Sequence, residues 1–137
     1  MAAAKIVVVD DYENLRNLVA TFITRLDYTV LQASDGRTAI NLAIAEAPKL
    51  NLLDLLLPDM NGMEVARQLR RISQFKHTPI IGWTGTPIPR QQALLKTNLT
   101  ECLLKPVAPR VLRGLIEPFV PKSQHQKRSH FTLASLE

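Results

Sequence analysis

Short aliphatic runs alternate with stretches of helical period along this chain. Ile6 to Val9 is a β-branched run that suits a strand buried on both faces. From Asp11 to Leu26 the apolar residues Leu15, Leu18, Val19, Phe22, Ile23 and Leu26 recur at three- and four-residue steps, which marks one face of a helix. Tyr28 to Ala33 reads as a second strand. Ser34-Asp35-Gly36 reads as a turn, and Arg37 to Ala47 as a helix closed by Pro48. Leu50 to Leu56 predicts a third, strongly apolar strand, Pro58 to Gly62 a loop, Met63 to Ile72 a helix and Pro79 to Thr84 a fourth strand. A loop stiffened by Pro87 and Pro89 follows, then a short helix from Arg90 to Thr97, with Asn98 suited to the left-handed position that ends it. Cys102 to Leu104 predicts a short fifth strand and Lys105-Pro106 a turn. Pro109 to Glu117 predicts a last helix, with Pro109 in its first turn.

Five repeats of strand then helix imply an α/β fold: a doubly wound, five-stranded parallel sheet with five helices on its two faces and right-handed crossovers. A length of 137 residues fits one domain and suffices for a real core. That core must be aliphatic, because 46% of residues are hydrophobic but only 5% aromatic. The domain is expected over residues 1–118. Pro118, Pro121 and the polar residues beyond them leave 119–137 as a basic flexible tail or linker, carrying Lys122, Lys127 and Arg128 against Glu137.

Charge and cysteine content narrow the setting. A net charge of +5 raises the case for an acidic partner, but no nucleic-acid motif or aromatic–basic interleaving accompanies it, which counts against nucleic acid. The single cysteine, Cys102, allows no internal disulfide, and a reducing cytoplasmic setting is the simple expectation. Met1 to Lys5 runs straight into the first strand without the layout of a secretory signal, and no apolar run approaches the ~18 residues that span a bilayer, so no membrane partner is expected.

In an open parallel sheet the working site lies at the carboxyl ends of the strands. Here the first strand ends in Asp10-Asp11, the third around Asp54, the fourth in Thr84 and the fifth in Lys105. Each has a plain alternative: Asp11 as a helix cap, Thr84 bonded to backbone, Lys105 as a surface charge. Asp54 is harder to dismiss, because a carboxylate between Leu52-Leu53 and Leu55-Leu56-Leu57 is costly to bury unpaired. Taken together they fit a cation and phosphate site. Three carboxylates in one pocket repel and push their pKa values up, and a hard divalent cation such as magnesium relieves this. Lys105 and Thr84 then offer a charge and a donor to an incoming phosphoryl group, whose transfer needs mainly positioning and charge neutralisation.

Four elements in order carry a family resemblance: Asp10-Asp11 after a β-branched strand; Asp54-Leu55-Leu56-Leu57-Pro58-Asp59-Met60-Asn61-Gly62; Pro79-Ile80-Ile81-Gly82-Trp83-Thr84-Gly85; and Lys105-Pro106. Over about residues 5–117 the sequence resembles the receiver domains of two-component response regulators, of the single-domain chemotaxis type. The resemblance implies a flavodoxin-like sheet of order 2-1-3-4-5, which sets the first and third strands side by side. It implies that Asp54 is the nucleophile toward a phospho-histidine, and that Asp11 binds magnesium directly and Asp10 mostly through water. It also implies that the Leu56 carbonyl completes the protein's share of the metal shell, that Lys105 pairs with a phosphoryl oxygen, and that Thr84 carries the switch. The implied partners are a sensor histidine kinase or histidine phosphotransfer protein and a downstream target protein met through the fourth strand, fourth helix and fifth strand. A homodimer stays open.

Departures from the family pattern are informative. Cys102 stands three residues before Lys105, where the family has Tyr or Phe, so ring rotation cannot report the switch; a small core-facing residue is the simple role. Trp83 stands where a smaller aliphatic is usual, and a core role is expected of it. Leu56, two past Asp54, cannot orient a hydrolytic water as a polar residue there can, which predicts a long-lived phosphorylated state. Turnover of an outside substrate is not expected, so the chain is not read as an enzyme. Residues 119–137 are too few for an output domain, so output through protein–protein contact is the expectation. The alternatives are a phosphate-independent interaction module, a phosphorelay intermediate, or the N-terminal piece of a longer regulator. A flavin carrier on this fold is disfavoured, since Asp10-Asp11 would repel a flavin phosphate.

Overall fold

A computed structural model describes residues 3–86 and 99–121. The predicted helix from Arg90 to Thr97, its Asn98 cap, Pro87, Pro89 and the tail beyond Pro121 lie outside the described residues. The elements are β1 (Lys5–Val9), α1 (Glu13–Thr24), β2 (Thr29–Ala33), α2 (Gly36–Glu46), β3 (Leu50–Asp54), α3 (Gly62–Arg71), a 3-10 turn (Ser73–Phe75), β4 (Ile80–Thr84), β5 (Glu101–Leu104) and α4 (Pro109–Phe119). All five strands are parallel, in the order β2-β1-β3-β4-β5. The doubly wound architecture and its order are as the sequence implied; four of the five expected helices fall among the described residues.

Alternation along the strands divides the core in two. Ile6, Val8, Leu50, Leu52, Ile81 and Trp83 pack on one face with Val19 and Ile23 of α1 and Leu112 and Ile116 of α4. Val7, Val9, Leu53, Leu55 and Ile80 pack on the other with Ala39, Ile40 and Ala43 of α2 and Val65, Ala66 and Leu69 of α3. Burying β1 and β3 on both faces requires the near-continuous aliphatic runs read from the sequence.

Element ends differ from the expected ones for identifiable reasons. Helix α1 starts at Glu13 rather than Asp11, because Asp10 Oδ1 accepts the Tyr12 N–H (2.9 Å) and holds the chain in a turn there. Asp11 therefore caps nothing. Strand β3 stops at Asp54, and Leu56 turns outward, 60% exposed, to form a bridge with Asn61. Helix α4 runs past Pro118 to Phe119: proline forfeits one backbone bond, yet the Val120 N–H still reaches the Ile116 carbonyl (2.9 Å). Val120 is buried and its carbonyl accepts the Tyr28 hydroxyl (2.6 Å), so the packed unit reaches residue 120, two beyond the expected boundary.

Register aims the strand ends. Val9 pairs with Leu53, so the residues that follow, Asp10 and Asp54, leave the sheet side by side. Asp54 pairs with Trp83 across β3 and β4, and Thr84 with Leu104 across β4 and β5, which places Lys105 next in line.

Candidate phosphoacceptor site

Asp10, Asp11, Asp54 and Lys105 meet at the carboxyl edge of the sheet. One oxygen from each of the three carboxylates lies within 4.8 Å of the others. Asp10 and Asp54 are buried while Asp11 is exposed, so the cluster opens to solvent on the Asp11 side. The Lys105 ammonium sits between the two buried acids, 2.7 Å from Asp10 Oδ2 and 3.3 Å from Asp54 Oδ2. Two buried anions held by one cation leave the site with excess negative charge, which a divalent cation would offset. The donor set, all hard oxygen, fits magnesium.

Both buried acids are also tied to backbone. Asp10 Oδ1 takes the Tyr12 N–H, and its main-chain carbonyl accepts from the Arg16 guanidinium (2.9 Å), itself anchored on Gln32 (3.0 Å). Asp54 Oδ1 accepts the Leu56 N–H at 3.0 Å. Burial pushes the Asp54 carboxyl above its usual range, and neighbouring Asp10 adds to this; the Leu56 N–H and Lys105 pull the other way. Like-charge repulsion, the cause expected from the sequence, is thus the smaller of the two upward effects.

The loop after β3 is locked in place. A Cβ on Gly62 would collide with the Asp54 carbonyl and sit 2.6 Å from Leu55 Cα, so only glycine lets α3 start this close to the acceptor strand. Asn61 caps α3 by accepting the Met63 N–H (2.8 Å). Asp59 reaches to α2, accepting the Gly36 and Arg37 N–H groups at 2.8 and 2.9 Å beside the Asp35 cap on Thr38 (2.7 Å). Those bonds hold the Asp59 carboxyl below its usual range. Arg16 and Asp59 were missed in the sequence reading; the Asp59 role had a faint signal, a second acid in a turn facing a helix start.

Thr84 is buried beside the cluster, but its hydroxyl accepts the Thr86 N–H (3.2 Å) and, among the described residues, bonds to neither Asp54 nor Lys105. The chain runs on through a cis Lys105–Pro106 peptide. Cys102 is half-buried against the α2–α3 core, as expected of a small residue there. Trp83 is buried, as expected, and its indole N–H points at the Val9 carbonyl (3.4 Å).

The profile of the response regulator receiver domain family matches residues 6–117, spanning every element of the sheet and the whole cluster. The chain belongs to that family. This receiver domain is 31% identical to the Vibrio cholerae chemotaxis protein CheY4, whose crystal structure superposes with a TM-score of 0.81 over 86% of this chain and 99% of that one. It is 34% identical to the alkaline phosphatase synthesis transcriptional regulatory protein PhoP of Bacillus subtilis over 88% of this chain, and 31% identical to the Vibrio cholerae CAI-1 autoinducer sensor kinase/phosphatase CqsS over 85%. The chain spans 50% of the length of the former and 17% of the latter. Receiver domains thus occur in both kinds of longer protein that it resembles. Among the described residues no helix is long and apolar enough to cross a membrane.

Proposed function

We propose that this receiver domain accepts a phosphoryl group on Asp54 from a histidine kinase or histidine phosphotransfer protein and signals through phosphorylation-dependent contact with a target protein. The observation that carries the reading is the Lys105 ammonium bridging buried Asp10 and Asp54 beside solvent-facing Asp11. An Asp54 carboxylate oxygen attacks phosphorus; a P–O bond forms as the P–N bond of the phospho-histidine breaks, and the electron pair leaves on the imidazole nitrogen. Asp10, Asp11, Asp54 and the Leu56 carbonyl would hold magnesium, which when bound offsets charge on the phosphoryl oxygens. Lys105 lies close enough to move from the carboxylates onto a phosphoryl oxygen. Thr84 has to leave Thr86 to reach the same group. The added charge of roughly −2 then biases the surface around β4 and β5.

Asp54 is consumed stoichiometrically, so the domain is an acceptor and not an enzyme acting on an outside substrate. A cytoplasmic setting is consistent with the kinase as donor. The testing experiment is intact mass after incubation with magnesium and acetyl phosphate. One added phosphoryl group on the wild type, absent from Asp54→Asn and absent without magnesium, supports the reading. No adduct on folded protein, with a donor that labels another receiver, moves the assignment to a phosphate-independent interaction module.

A further inference from the structure

Lys105 has a third neighbour besides its two carboxylates. Its ammonium lies 4.8 Å from the centre of the Trp83 ring, within cation–π range. The indole is itself fixed on two sides. Its N–H points at the Val9 carbonyl, the last residue before Asp10, and its backbone pairs with Asp54 on β3, with the Trp83 carbonyl accepting the Leu55 N–H (3.1 Å). Trp83 therefore reaches from β4 to the end of β1 and pairs with β3, the two strands that lead into the buried acids. The surrounding groove between α1 and α4 has a mostly apolar wall, including Leu15, Val19, Phe22, Pro106 and Leu112.

A lysine head is a mobile point charge on four rotatable bonds. The two carboxylates attract it without fixing the path of its stem, and Lys105 is 19% exposed. The flat indole face, 4.8 Å from the ammonium, adds a third attraction to those of the two carboxylates. We propose that Trp83 is a positioning residue for the phosphoacceptor site: its ring holds the Lys105 ammonium between Asp10 and Asp54, poised to move onto a phosphoryl oxygen. The proposal rests on the receiver reading for its consequence, and on geometry alone for the contact. A buried tryptophan required only for volume would be replaceable by an aliphatic residue; one required for its face would not.

Two measurements on the full chain separate these roles. The first is the proton NMR shift of the Lys105 ε-methylene, which a ring placed beneath it moves upfield. It is read in wild type, Trp83→Phe and Trp83→Leu without phosphodonor. The upfield shift is expected in wild type, reduced in Phe and gone in Leu. Resonances unmoved by Trp83→Leu in a folded protein overturn the proposal, whether or not the protein accepts phosphate. The second is the rate of phosphorylation by acetyl phosphate at saturating magnesium. Trp83→Leu is expected to lose about threefold to fivefold, with Trp83→Phe recovering most of it, and the difference between Leu and wild type is expected to vanish in a Lys105→Met background. An equal loss in that background makes Trp83 a packing residue and overturns the proposal. Wild type that takes no phosphate under any condition sinks the receiver reading alone, and the NMR result still decides the contact.

Discussion

Two cationic side chains are sunk into opposite ends of this sheet, and they are held differently. At the amino ends of β4 and β5, Arg70 donates to the Phe75 and Thr78 carbonyls (2.8 and 2.6 Å) and approaches the Thr100 hydroxyl (3.5 Å). At the carboxyl ends, Lys105 faces two buried carboxylates and an indole ring. The planar guanidinium fork satisfies fixed backbone acceptors in one geometry, and though burial lowers its pKa, arginine keeps its charge. The ammonium is a point charge that can exchange one oxygen for another. The first arrangement ties α3 to the sheet; the second can be rearranged by a new anion. The same kind of charge thus serves permanence at one edge and switching at the other.

Removing each cation should break that contrast in opposite ways. Lys105→Met leaves Asp10 and Asp54 buried without their cation, and is expected to lower phosphoryl acceptance by about 100-fold. In metal-free buffer it should also cost stability by about 3 kcal/mol, measured by urea unfolding. Arg70→Ala removes the guanidinium donor from the Phe75 and Thr78 carbonyls, of which Phe75 keeps the Thr78 N–H (3.3 Å), and should cost about 2 kcal/mol while the acceptance rate stays within about twofold. Arg70→Lys should recover little of that, because an ammonium cannot reproduce the fork. Equal losses of acceptance in the Arg70 and Lys105 variants would erase the distinction.

Asp54→Asn sharpens the comparison further. Its folded pKa is raised, so the ionised form is disfavoured on folding and lowers stability at pH values above the folded pKa; protonation at lower pH removes that penalty. The variant should therefore abolish acceptance yet stabilise the metal-free protein near neutral pH, with the gain shrinking as pH falls through the raised pKa. A destabilised variant would show that the Leu56 N–H and Lys105 outweigh burial.

Smaller effects lie outside the cation pair. Leu56→Asn, at an exposed position, should leave the unfolding free energy within about 0.5 kcal/mol of wild type and shorten the life of the phosphorylated state severalfold. Asp59 works in the opposite sense to Asp54. Its folded pKa is depressed, so its contribution is present above the ordinary carboxylate value of 3.8 and is lost as pH falls through the folded pKa. Asp59→Asn should lower the melting temperature at neutral pH, with the gap to wild type closing as pH falls through that window.

The sheet and the acidic cluster were legible in the sequence because both rest on local pattern. Short apolar stretches announce buried parallel strands; Asp10, Thr84 and Lys105 stand out as polar residues where such stretches stop, and Asp54 as a carboxylate inside one. What stayed hidden depends on where loops travel. Asp59 binds the start of a helix more than 20 residues earlier, and Arg16 reaches back from α1 to the Asp10 carbonyl; neither spacing has a signature. Trp83 was read as core and is core, yet alternation does not say that its ring faces an ammonium. The end of α4 was misplaced because Pro118 counts as a breaker in isolation, whereas Val120 has a pocket and a tyrosine hydroxyl to hold it.

The central claim is that converging strand ends make Asp54 the acceptor. The most direct measurement is to phosphorylate the protein, reduce the acyl phosphate with borohydride and map the modified peptide. Conversion of Asp54 to homoserine, with Asp10, Asp11 and Asp59 unchanged, is the result predicted here. Conversion at any of those three acids while Asp54 stays intact would contradict it.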